Sequence, residues 1–174
     1  MTRNSAFSTV MTLCLLAGCA QEPRVDAAAE SEAIKATLDG YVQSVVEEDM
    51  QRYWQVMDRD STMVNVGGGT GISWIVGWEE LDEVMNGQNS AFSQTTIDVT
   101  REWIRVSPTG AFAWAVTRWD LATVLADGSH ALLPLRCSWV LEKRDGRWIV
   151  VHFHKSFGVE SLARFFVDEQ GSAG

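Results

Sequence analysis

The sequence is short of positive charge, of long apolar runs and of cysteine. Fourteen Lys and Arg stand against 23 Asp and Glu, a net charge of −9. No basic stripe exists to neutralise phosphates, so nucleic acid is not an expected partner, and anionic membrane surfaces are disfavoured. Near the start, the uncharged residues 6–17 form a run shorter than the roughly 20 apolar residues a membrane-spanning helix needs. There is no internal repeat and no low-complexity segment. The run Gly67-Gly68-Gly69-Thr70-Gly71 lacks the Gly-Lys-Ser/Thr of a phosphate loop and the spacing of a dinucleotide fingerprint, and reads as a flexible turn. No Gly-x-Ser-x-Gly occurs, so a serine hydrolase is unsupported. His152 and His154 could chelate as an i, i+2 pair on a strand, but no third ligand stands at a helpful spacing; no metal and no cofactor is expected. The cysteines are Cys14, Cys19 and Cys137, the last a small residue in a strand pattern, buried and unreactive.

What the chain does have is tryptophan, eight in all, at 54, 74, 78, 103, 114, 119, 139 and 148. Core packing accounts for many of them. Some could instead line a cavity, since indole offers a flat apolar face and one N–H donor. The length, 174 residues, suits one domain with a real core.

At the start, Arg3 precedes the uncharged residues 6–17, the layout of a signal peptide. It ends in Leu16-Ala17-Gly18-Cys19, which resembles the lipobox of bacterial lipoproteins. The resemblance implies cleavage before Cys19 and a diacylglycerol on its sulfur, so residues 1–18 would be the leader and 19–29 a tether. An ordinary secretory leader cut elsewhere is the alternative. With Cys14 removed and Cys19 acylated, no internal disulfide is left to form. The expected location is the cell envelope, with the membrane touched only through the lipid; in a Gram-negative host, Ala20 would imply the outer membrane, facing the periplasm.

Residues 30–48 place Ile34, Leu38, Tyr41, Val42, Val45 and Val46 at helical spacing. Asp49 can cap a short second helix carrying Tyr53, Trp54 and Met57. A strand over Thr62–Val66 follows, then a third helix from Gly77-Trp78-Glu79 with Leu81, Met85 and Phe92 inward. From Gln94 the pattern turns to β, with strands near 94–106, 111–126, 129–143 and 147–158. Two Asp-Gly dipeptides, at 127–128 and 145–146, mark hairpins. The predicted architecture is α+β, a cone with three helices across a strongly curved, mainly antiparallel sheet.

If both Asp-Gly turns are two-residue loops, Ala126 pairs with Ser129 and Arg144 with Arg147. Counting back sets Arg118 and His154 on either side of Cys137, and Val116 and His152 on either side of Trp139. One face then carries Trp114, Arg118, Asp120, Cys137, Trp139, Trp148, His152 and His154; the other carries Trp119, Arg136, Ser138, Phe153 and Lys155. The first set reads as a polar site in an aromatic cavity, or as structural histidines with Arg118 paired to a carboxylate.

Arg144-Asp145-Gly146-Arg147-Trp148 followed by Val151-His152-Phe153-His154-Lys155-Ser156 resembles the last hairpin of the SnoaL-like, nuclear transport factor 2-like superfamily, and within it the association domain of calcium/calmodulin-dependent protein kinase II. Gly77-Trp78-Glu79-Glu80-Leu81 is similar to that family's helix start. The resemblance covers about residues 30–160 and leaves 161–174 as a tail with room for a short helix. It implies a homodimer through the outer sheet face, with Trp119, Ser138 and Phe153 as interface candidates. Where the kinase domain has a cavity arginine, this chain has Trp139; another appears as Arg118. The superfamily holds isomerases, cyclases and dehydratases as well as non-catalytic binding modules, so the fold leaves function open.

Two readings result. The preferred one is a membrane-anchored, non-enzymatic module that binds a small ligand or a protein partner in a pocket formed by Trp54, Trp74, Trp78, Trp114, Arg118, Trp139, His152 and His154. The alternative is an isomerase, cyclase or dehydratase. His154 or His152 would then be the general base and Arg118 the stabiliser of developing negative charge. Asp58, Asp60 or Glu79 would orient the histidine.

Overall fold

A computed structural model describes residues 25–67 and 74–157. The expected leader, Cys19, most of the glycine run and the C-terminal tail lie outside the described residues. Helix α1 (Ala27–Val46) begins within the expected tether, because the Asp26 carboxylate accepts from the backbone N–H groups of Ala28 and Ala29, each at 3.1 Å. Its apolar spacing buries Ile34, Leu38, Tyr41 and Val45. Asp49 caps α2 (Met50–Val56) as expected, accepting from Arg52 N at 3.0 Å. Strand β1 (Val64–Val66) is followed by a second short strand, β2 (Trp74–Val76), which the sequence pattern does not reveal. Gly77, at φ +84, then starts α3 (Trp78–Ala91), and Glu80 folds back to accept from Val76 N at 2.8 Å. Phe92 is not on the inner side of that helix; it opens the next strand.

The remaining strands are β3 (Phe92–Val106), β4 (Phe112–Leu125), β5 (His130–Arg144) and β6 (Arg147–Phe157). The sheet runs β2-β1-β6-β5-β4-β3, with β1 parallel to β6 and every other neighbour antiparallel. Helix α1 lies across the concave face. There Tyr41 meets Trp139 edge-on at 4.9 Å between ring centroids, Phe153 at 5.8 Å and Trp119 at 6.0 Å. All four rings are buried. Burial of each contributes about 1.5–3 kcal/mol.

The hairpins correct the expected register. At the first Asp-Gly, Leu125 N donates to Ser129 O at 2.9 Å, not Ala126. The loop is therefore three residues, Ala126-Asp127-Gly128, with Gly128 at φ +83, as a three-residue hairpin requires. At the second Asp-Gly, Arg144 does pair with Arg147, with Asp145 and Gly146 at φ 51 and 77. A bulge then intervenes: Leu141 pairs with Val150 but Val140 with His152, leaving Val151 extra. A slip of one residue moves side chains to the other face. Cys137 thus lies between Thr117 and Lys155, Trp139 between Ala115 and Phe153, and Arg118 opposite Arg136.

Candidate functional site: two faces of one sheet

The predicted face splits in two. Trp114, Arg118, Asp120, His152 and His154 stay together, on the outer side of the sheet. Cys137, Trp139 and Trp148 turn inward to the core. From the second set, Trp119, Phe153 and Lys155 also face the concave side, and Arg136 and Ser138 face out. Trp119 and Phe153 are therefore core residues, not surface residues available to an interface; of the three candidates only Ser138 is exposed.

On the outer side the pairings line up a row across all six strands: Trp74, Val66, His154, Ser138, Val116, Trp103. Trp74 is 69% exposed, Trp103 59% and Val116 40%. Trp114, in the next row, meets Trp103 edge-on at 5.1 Å. Arg101, Arg118 and Arg136 flank this surface in a third row. Arg118 reaches Asp120 at 3.8 Å, a loose and exposed contact. Trp103 was not among the predicted site residues, because the loop before β4 left β3 out of the count.

Trp54 and Trp78 belong to neither face. They pack on each other at 5.9 Å on the helical flank, and the Arg59 guanidinium covers both rings at 5.1 and 5.5 Å. Trp54 Nε1 donates to Asp82 at 2.7 Å.

His152 lies in a surface cleft of about 320 Å³ with Asp58, Asp60, Thr62, Val64 and Arg144. Its Nδ1–H donates to the Val64 carbonyl. The Asp58 carboxylate, nearly buried, is held by Arg144 at 2.7 Å, and Asp60 accepts from Thr62 N and Oγ1 at 2.7 and 2.6 Å. The Thr62 hydroxyl, more than the Thr62 N–H, holds the Asp60 carboxyl below its usual range. Among the described residues no carboxylate bonds to His152 or His154, and Glu79 stands at the start of α3 beside Gly77. The geometry of a histidine base with an acidic orienter is thus not assembled. Another cleft, of about 230 Å³, lies at the far end of β4 and β5 beside Thr123 and Ala131.

The concave side holds an arrangement the sequence did not suggest. Lys155 projects among aromatic rings, with Nζ 5.1 Å from the Phe153 centroid, 5.7 Å from Tyr41 and 5.8 Å from Trp119. Loss of solvation lowers its pKa from the usual value. Across the strand, burial pushes the Cys137 thiol up to about 12. Burial raises the Tyr41 and Tyr53 phenols as well. The hydroxyls of Tyr41 and Tyr53 and the Nδ2 of Asn65 are buried without a hydrogen-bond partner among the described residues. Trp139 Nε1, by contrast, donates to Thr117 Oγ1 at 2.9 Å.

Comparison with known proteins agrees with this architecture. Residues 34–160 match the SnoaL-like domain family. A nuclear transport factor 2-like superfamily protein from Salmonella enterica is similar at a TM-score of 0.67 and 22% identity, covering 76% of this chain and 96% of that one. The association domain of C. elegans CaMKII is similar at 0.61 and 17%, covering 75% and 97%. A hexachlorocyclohexane dehydrochlorinase from Novosphingobium barchaimii is similar at 0.63 and 18%, covering 75% and 88%. No curated protein matches the chain at a significant level. Identities this low speak for the fold alone, but the family match spans most of the chain, and the protein is a member of the SnoaL-like family with a nuclear transport factor 2-like fold.

Proposed function

We propose that this protein is a lipid-anchored envelope module that works by association, docking a second copy of itself on the outer face of its sheet. The observation that carries the reading is the exposed row Trp74–Val66–His154–Ser138–Val116–Trp103, with Trp114 beside it. Isolated exposed apolar residues are ordinary, but here the Trp103–Trp114 pair and Val116 stand together at one end of the row and Trp74 at the other, and such clustering on a regular sheet marks a contact site. A self-complementary sheet face suits the two-fold symmetry of most homodimers. The likeness to an association domain agrees with it. So does the interior, where Tyr41, Trp119, Trp139 and Phe153 fill the space a larger ligand would need. The residues read as a pocket from sequence become, in part, a docking surface: Trp74, Trp114 and His154 lie within it, and Arg118 flanks it.

The anchor completes the reading. Cys19 carries the lipid, and residues 20–26 link it to α1. Such a module works beside the membrane.

Sedimentation equilibrium of the soluble domain tests the association. The wild type is expected at twice the chain mass, and Trp103→Asp with Val116→Asp at the chain mass with an unchanged circular dichroism spectrum. Equal masses for both proteins would refute the docking face. Metabolic labelling with palmitate tests the anchor separately: Cys19→Ala loses the label and leaves the membrane fraction, and retention of both would exclude acylation there.

A further inference from the structure

We infer that Lys155 is a carbonyl-capturing amine, a site on the concave face where a short-chain aldehyde condenses with Nζ to form an imine. The chain has three lysines. Lys35 is tied to Asp39 at 3.2 Å and lies 3.8 Å from Glu102. Lys143 is tied to Glu30 at 2.5 Å. Lys155 alone has no carboxylate partner among the described residues; three rings surround it instead.

Position explains the chemistry. The bulge at Val151 turns Lys155 inward, opposite Cys137, onto a face otherwise made of aromatic, aliphatic and small side chains. An ammonium there gains attraction from the ring faces but loses water. Loss of water wins, and the pKa falls. Each unit of such a fall raises the neutral, nucleophilic fraction about tenfold near neutral pH. A lysine desolvated in an apolar pocket is an established way to make an amine nucleophile. The Asp39 hydrogen bond raises the Lys35 pKa and favours its protonated form, and Lys143 Nζ is bound to the Glu30 carboxylate. Lys155 is half-buried, so a small solute can reach it while the rings below stay sealed.

The same layer contains spare polar groups. Tyr41, whose ring centroid lies 5.7 Å from Nζ, and Tyr53, 5.3 Å from Tyr41, each bury a hydroxyl with no partner among the described residues. Unsatisfied buried polar groups are uncommon in native proteins, and a site for a ligand is one reason to keep them.

The step balances without a co-reactant. The Nζ lone pair attacks the aldehyde carbon, a C–N bond forms, and a proton moves from nitrogen to oxygen to give a carbinolamine. The second nitrogen proton then passes to that hydroxyl, which leaves as water as the nitrogen lone pair forms the C=N bond. No electron is gained or lost. This site lies on the opposite side of the sheet from the docking face, and neither depends on the other.

The test is reductive trapping of the full soluble domain with propanal and cyanoborohydride at pH 7, read by peptide mass spectrometry. The propyl mass is expected on Lys155 at ten or more times the rate on Lys35 or Lys143. The rate at Lys155 should saturate with propanal, and Lys155→Arg should abolish that adduct while the others persist. Lys155→Met, which keeps the length and removes the charge, checks that the fold survives. Equal or slower labelling of Lys155 would overturn the proposal. A rate that stays proportional to propanal concentration, as for free N-acetyl-lysine, would also overturn it, since that describes a merely exposed amine.

Discussion

Thr117 and Trp139 decide which way the sheet faces. In the observed register Thr117 lies opposite Cys137, points inward, and accepts the Trp139 Nε1–H at 2.9 Å. Both side chains are buried. Thr117→Val keeps the shape and removes the acceptor, leaving an indole N–H unpaired in the core, at a cost of about 1–3 kcal/mol. Trp139→Phe removes the donor and part of a ring that packs on Tyr41, Trp119 and Phe153, at a cost of about 2 kcal/mol or more. The double variant should cost less than the sum of the two, by about 1 kcal/mol, because the second change no longer breaks the bond. Urea unfolding measures all three, with midpoints shifted and slopes unchanged. Had Arg118 stood opposite Cys137, Thr117 would face solvent, and Thr117→Val would be neutral or slightly stabilising in a strand. A cost below about 0.3 kcal/mol with no coupling would refute the inward placement.

Further expectations follow from the same geometry. Gly67→Ala should destabilise by about 1–3 kcal/mol, since the residue sits at φ +76 and an added Cβ would collide with the Lys155 carbonyl oxygen; thermal melting reads it, and an unchanged midpoint would contradict it. The Cys137 thiol, with a folded pKa of about 12 against the usual 9.0, should resist thiol reagents at pH 8 in the folded protein and react at once in urea. Its linkage has a definite sign. The unfolded thiol ionises above pH 9.0 while the folded one keeps its proton to about 12, so Cys137 makes stability fall across that window, and Cys137→Ala should flatten the fall. Lys155 acts oppositely. Its folded pKa lies below the usual 10.5, so between the two values the unfolded chain holds a proton the folded one lacks, and stability rises with pH there. Denaturation midpoints of Lys155→Met against pH should lack that rise.

The helices were legible in the sequence because burial and periodicity agree: Ile34, Leu38, Tyr41 and Val45 repeat at helical spacing and all are buried. Asp49 announced α2 by its capping chemistry. The register was not legible, for two reasons. Asp-Gly serves both a two-residue loop and a three-residue loop with glycine in the left-handed position, and this chain uses one of each. The bulge falls within Ile149-Val150-Val151-His152, where no polar alternation marks the extra residue. The two displacements compensate for Arg118 and the histidines, which still share a face, but not for Cys137 and Trp139 between them. The sequence count places Lys155 on a face with Trp119 and Phe153 but gives it no role, because a cation on a strand suggests solvent and the bulge that sets it opposite Cys137 leaves no mark in the sequence. Strand β2 is too short, at three residues, to leave a pattern.

The docking face and the Lys155 site both depend on which side chains share a face. Cross-strand backbone NOE contacts in the isotope-labelled domain, Hα–Hα in non-hydrogen-bonded pairs and HN–HN in hydrogen-bonded pairs, measure that directly. The observed pairing predicts that the backbone of Cys137 connects to Thr117 on one side and to Lys155 on the other. Contacts from Cys137 to Arg118 and His154 instead would return the histidines to the concave face, remove the docking surface and expose Lys155.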